Sequence, residues 1–283
     1  MNAKMVLLPV AEARPVQEAQ VWFKDGLRLL RMRLAQWTTY SVLTVFVLIL
    51  VAFVGDSLIA ATEKAGGGML GHVALFAKLV LMNLATIATH GGMFLGMMRV
   101  VQGGAVRIHD MNWLFSAVQR RHLLALAILL SVCSLGYALL EERLFAGQNI
   151  LVPDARGPYV VDGKAFNINQ ELLMRMGMLF AGYTLLMSVL TWAVLPLMTL
   201  FADVPLAQAL RYNFDGLRKN IAPLLYLSLL MLLVYFAVGL VAGLLATTVP
   251  LLLLPFAAVV AVWALPLNNA WVYSAFRHIY TDW

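Results

Sequence analysis

Lys78, Asn83, Thr86 and His90 stand within one long apolar stretch of this chain. Asn83, Thr86 and His90 fall at helical spacing and share a face, with Lys78 nearby. Polar groups in an apolar helix are costly, and they mark either a transport path or a polar packing seam. The path reading makes Lys78 an anion site and His90 a proton relay. The seam reading lets the Lys78 stem run along the helix while its ammonium reaches water. Asn268 and Asn269 follow Pro266 in another apolar stretch, placed to satisfy carbonyls that a proline frees. Pro196 has a similar context, Trp192-Ala193-Val194-Leu195-Pro196 beside Trp263-Ala264-Leu265-Pro266. Both prolines are expected to kink their helices, because each removes a backbone donor. No acidic residue occupies the middle of an apolar stretch, which argues against proton coupling.

Other chemistries find little support. There is no Walker loop, no HExxH and no G-x-S-x-G elbow. His109, Asp110 and Ser116 come nearest to a catalytic cluster, without a defining spacing. His109 has no second histidine at ligand spacing, and His72 is expected on the opposite side of a membrane. The sequence therefore assigns no catalytic residue, metal or cofactor. Cys133 is the sole cysteine, which excludes an internal disulfide.

The elements that must position these residues follow from composition. Of 283 residues, 62% are hydrophobic and 12% charged. Soluble domains carry about 45–50% and about 25%. A bilayer core needs about 20 apolar residues per helix. Six segments qualify, near 37–61, 70–98, 122–140, 172–201, 221–245 and 250–276. They form one membrane domain, 37–283, after an N-terminal segment, 1–36. That segment is too interrupted, by Pro9, Glu12 and Pro15, to serve as a removable signal.

Basic residues orient the spans. Lys4, Arg14, Lys24, Arg28, Arg31, Arg33, Arg99, Arg107, Arg120, Arg121, Arg211, Arg218, Lys219 and Arg277 fall on one side. Only Lys64, Arg143, Arg156, Lys164 and Arg175 fall on the other. The first side is expected to be cytoplasmic, with both termini. The net charge of +6 belongs to this asymmetry, so nucleic-acid binding is not indicated. The outer loop, 141–171, is the candidate surface for a protein partner. Within it, Asp162-Gly163 between apolar residues predicts a hairpin.

The tetrapeptide Asp-Gly-Leu-Arg occurs twice, at residues 25–28 and 215–218. The spacing predicts a helix over Val16–Trp37, with Phe23, Leu27, Leu30, Leu34 and Trp37 on one face and Lys24, Arg28 and Arg31 on another. Pro205–Lys219 is similar, with Leu206, Leu210, Phe214 and Leu217 against Arg211, Asp215 and Arg218. Trp113 and Phe115 before Arg120, Arg121 and His122 make a third case. Such helices lie at headgroup level. The fold class is therefore all-α, a six-helix transmembrane bundle of three hairpins, with cytoplasmic amphipathic helices before the outward spans. Lys24, Arg28, Arg31, Arg120, Arg121, Arg211, Arg218 and Lys219 are the candidate contacts to anionic lipid headgroups. Gly92 and Gly96 form a GxxxG that permits close helix packing.

Asp203–Leu210 with Leu217–Leu225, and the closing Trp271–Tyr280, resemble signatures of bacterial six-helix inner-membrane proteins. The likeness is to the YciC-type proteins. More distantly, it extends to the membrane domain fused to some glycerophosphodiester phosphodiesterases. His278 departs from the aspartate common there, and the outer loop departs too. The resemblance implies six spans and the bacterial inner membrane, and carries over no catalytic residues. The expected function is a non-enzymatic scaffold or accessory protein working through lipid or protein contacts. A transporter or channel, with its path along the second and sixth spans, is the alternative. A phospholipid-related enzyme comes third.

Overall fold

The computed structural model describes residues 5–64, 68–113, 120–153, 159–161, 164–201 and 203–282. Helix α1 (Glu18–Met32) precedes α2 (Leu34–Lys64) and α3 (Met69–Val101). A 3-10 turn (Ile108–Asn112) follows, then α4 (Arg120–Phe145). Three short strands come next, β1 (Leu151–Pro153), β2 (Tyr159–Val161) and β3 (Lys164–Ile168). Helices α5 (Gln170–Thr191), α6 (Val194–Leu200), α7 (Leu206–Thr248) and α8 (Leu253–Tyr280) complete the chain.

Six helical segments are long and apolar enough to cross a membrane, with α5 and α6 making one of them together. The chain is a multi-pass, all-α membrane protein. At 1.5 Å per residue, a helix the length of α2 reaches about 46 Å, beyond an apolar layer of about 30 Å. The spans present leucine and phenylalanine outward, as at Phe46, Phe53, Leu232 and Phe236. Lipid tails solvate such side chains, while the helix satisfies its own backbone.

The small sheet has the order β1-β3-β2, antiparallel throughout. The register Val161↔Lys164 closes β2 and β3 around positions 162 and 163, which lie outside the described residues. Asn169 caps α5, its side chain accepting from the Leu172 N–H at 3.1 Å.

One expected helix boundary needs correction. Val16–Trp37 is not one helix, because Arg33 leaves helical geometry (φ −141°, ψ 47°) and α2 starts afresh at Leu34. Trp37 spans the corner, its Nε1 donating to the Leu29 carbonyl at 3.3 Å. The expected boundary between Pro205–Lys219 and its span is present, since Asn220 is non-helical (φ −122°, ψ 24°) and divides α7 there.

The fourth span breaks between α5 and α6, at Trp192 and Ala193. Pro196 has no N–H to offer the Trp192 carbonyl. Asn213 of α7 fills the neighbouring rung. Its Nδ2 donates to Val189 O at 2.7 Å, and its Oδ1 accepts from Ala193 N at 3.0 Å. By contrast, α8 runs unbroken through Pro266.

The best-buried side chains gather where the termini meet. Trp22, Trp37, Tyr40, Trp271, Tyr273, Phe276 and Tyr280 are fully buried. Glycines admit several of them. A Cβ on Gly26 collides with Trp271, and one on Gly216 collides with Tyr280. Gly91 and Gly92 likewise receive Trp113 and Tyr40, and Gly96 lies against Trp37 and Val106. The GxxxG thus packs α3 on aromatic residues of α2. Gly26→Ala and Gly216→Ala are each expected to destabilise the purified protein by roughly 1–3 kcal/mol through overpacking. Thermal unfolding in detergent checks this against Gly243→Ala, where a Cβ meets nothing within 4 Å and the melting point should not fall.

Candidate lipid-headgroup surface

The last turns of α8 anchor the termini-bearing end. The N-terminal segment runs antiparallel to the chain end, with Leu8 N–H donating to Tyr280 O at 2.8 Å and Glu12 N–H to Ile279 O at 2.9 Å. The non-helical Asn220 clamps this strap. Its Oδ1 accepts from Arg14 N at 2.8 Å, and its Nδ2 donates to Glu12 O at 2.8 Å. Lys219 Nζ donates to Ala11 O at 3.1 Å, and Arg14 Nε to His278 O at 2.7 Å.

Helix α1 packs on α8 through a stripe of Ala19, Trp22, Gly26, Leu29 and Leu30. Phe23 stacks on Trp271 with ring centroids 5.0 Å apart, and Trp271 Nε1 donates to Phe23 O at 3.1 Å. Asp25 accepts from Arg277 Nη2 at 3.1 Å. His278 lies between Glu18 and Asp25, its ring nitrogens 3.7 and 3.6 Å from their carboxylates.

The opposite side of α1 is basic. Lys24, Arg28 and Arg31 are exposed, and none forms an ion pair among the described residues. With Leu27 and Met32 they line a groove of about 460 Å³. The first part of α7 repeats the plan. Ala209, Asn213, Gly216 and Asn220 are buried, while Phe214, Arg211 and Arg218 are exposed. Gln208, Arg211, Tyr212 and Asp215 line a second cavity of about 460 Å³ beneath Pro9 and Val10 of the strap. Lys219 departs from its expected role, since Asp215 and the strap hold its ammonium. Arg120 and Arg121 open α4 and are exposed. Phe115 and Ser116 lie outside the described residues.

The intramembrane polar residues have partners close by. Lys78 pairs with Asp56. Asn83 donates to Ser131 Oγ at 3.0 Å, and Thr86 to the carbonyl of Met82. Asn268 accepts from the Tyr235 hydroxyl, and His90 is in side-chain hydrogen-bonding reach of Asn269. Asn269 Nδ2 donates to Leu265 O at 2.8 Å. Neither asparagine serves the carbonyl that Pro266 frees, which belongs to Val262 one rung earlier. Along the expected line from Lys78 to His90, each group finds its partner on an adjacent turn or helix.

The His109-Asp110 pair is structural in setting. Asp110 is buried and pairs with Arg99, while His109 is exposed. Among the described residues no three His, Cys, Asp or Glu side chains gather as a metal site.

Comparison of the chain with family models, curated proteins and solved structures gives no match. The surface must therefore be read from its own chemistry. Sequence reasoning assigned no bond to Asn213 or Asn220 and placed Arg277 only among the basic flanks; the recurrence of Asp-Gly-Leu-Arg and the closing Trp271–Tyr280 stretch were the signals that pointed toward this end. Asn220→Ala is expected to free the strap without dissolving the bundle. Glutamyl endopeptidase should then cut after Glu12 faster than in the parent protein, with the melting point lowered by only a few degrees.

Proposed function

We propose that this protein is a non-enzymatic scaffold or accessory protein of the bacterial inner membrane, holding anionic lipid at its termini-bearing end. In this reading the six spans form three hairpins, each entered through an amphipathic helix at headgroup level, with both termini cytoplasmic. The resemblance to YciC-type proteins belongs to the same proposal.

The observation that carries it is the division of α1 into three stripes. Small and aromatic residues, Phe23 among them, face α8, Leu27 remains half-exposed, and Lys24, Arg28 and Arg31 extend unpaired beside it. An apolar flank next to free cations suits the boundary between acyl chains and phosphates. Each cation near an anionic leaflet contributes about 1 kcal/mol. Three together favour anionic over neutral lipid on the order of a hundredfold.

Reversing Lys24, Arg28 and Arg31 to glutamate tests the reading. Purified protein should lose most of its preference for phosphatidylglycerol over phosphatidylcholine nanodiscs, and added salt should weaken the parent's preference. An unchanged preference refutes the lipid role of α1. Orientation is tested separately. A fluorescent reporter fused after Trp283 should glow in cells, whereas a periplasmic phosphatase fused there should stay inactive.

A further inference from the structure

Beside the open basic groove lies a smaller cavity of about 170 Å³, lined by Asp25, Arg28, Leu29, Met32, Val101 and Arg277. It is bounded by α1, the end of α3 and the last turns of α8. We infer that this cavity is a discrete site for one phosphodiester group, held between Arg28 and Arg277. The inference deepens the lipid reading above and rests on it.

Three observations converge on this chemistry. First, the charges do not cancel. Asp25 contributes one negative charge and Arg28 and Arg277 one positive charge each, leaving one positive charge on the lining. A phosphodiester, with a single negative charge, balances it. A phosphomonoester carries about −1.5 to −2 at neutral pH and overshoots. Second, Arg277 is short of acceptors. A guanidinium has five N–H donors. Asp25 takes one of them, from Nη2, and no other side-chain N–H of Arg277 has a hydrogen-bond partner among the described residues. Arg28 forms no ion pair among the described residues. Planar guanidinium groups match phosphate oxygens well, and such charge-assisted bonds are the strong ones. Third, the remaining wall is apolar. Leu29, Met32 and Val101 suit the glycerol and first methylenes of a phospholipid, which a free inorganic ion lacks.

The site differs from the outer groove in what it requires. The groove attracts any anionic surface through Lys24, Arg28 and Arg31 together. The cavity needs Arg28, Arg277 and open volume, and it holds one lipid per chain.

Native mass spectrometry of the full chain released from detergent, with phosphatidylglycerol added, provides the test. One phospholipid should survive the activation that strips the others. Arg28→Gln should lower its occupancy about tenfold or more, the effect of removing one charge-assisted bond. Val101→Phe keeps every charge but fills the cavity, and should also release the lipid. The double variant Lys24→Gln/Arg31→Gln should retain it, even as its nanodisc preference weakens. Retention in Arg28→Gln or in Val101→Phe overturns the proposal. So does equal loss in the Lys24/Arg31 variant, which leaves only the diffuse surface attraction standing. Conversely, a retained lipid with no nanodisc preference refutes the surface reading alone. Titration with inorganic phosphate separates the sources. Failure of millimolar phosphate to displace the lipid supports an intact phospholipid, and displacement overturns that assignment in favour of the free anion.

Discussion

The termini-bearing end depends on one recurring contact, an aromatic donor laid across a helical glycine. Trp271 lies over Gly26 and bonds Phe23 O, and Tyr280 lies over Gly216 and bonds Tyr212 O at 2.9 Å. Tyr40 over Gly92 bonds Thr89 O at 3.1 Å, and Trp113 over Gly91 bonds Ala88 O at 2.8 Å. In each case the acceptor is a helix carbonyl three or four residues before the glycine. The carbonyl has a second lone pair beyond its helical bond. The missing Cβ lets the ring reach it. Without that acceptor, a buried indole or phenol donor costs about 1–3 kcal/mol.

Two of these contacts share the end of α8, and they explain its burial from Trp271 to Tyr280. The two Asp-Gly-Leu-Arg copies approach this segment from different helices, α1 and α7, and each offers its glycine. The aspartates then diverge. Asp25 reaches across to Arg277, whereas Asp215 bonds Lys219 on its own helix. The strap passes over the same segment and closes on Asn220. Helix α1, the strap and the first part of α7 thus converge on α8, which fixes the basic stripe of α1 relative to the spans.

Within the spans, packing works differently. Lipid tails are as apolar as leucine, so burial there gains little, and close contact and hydrogen bonds must hold helices together. The polar residues supply such bonds locally, as Asn83 does to Ser131 and Tyr235 to Asn268. Asn213 repairs the α5–α6 break from a neighbouring helix. Each of these bonds joins two helices.

Hydropathy and length alone determined the membrane class and the six spans, because the bilayer sets a fixed minimum of apolar residues. Helical spacing placed Lys24, Arg28 and Arg31 on one stripe for the same kind of reason, since periodicity is local. Periodicity also marked Phe23, Leu27, Leu30, Leu34 and Trp37 as one apolar face, but not the buried Ala19, Trp22 and Gly26 beside it. Small residues carry little hydropathy signal, and their value lies in what a distant ring needs. The corner at Arg33, the rung filled by Asn213 and the pairing of Asp25 with Arg277 were likewise settled by tertiary structure. Each depends on partners well separated in sequence or on the path between packed helices, which local spacing does not encode.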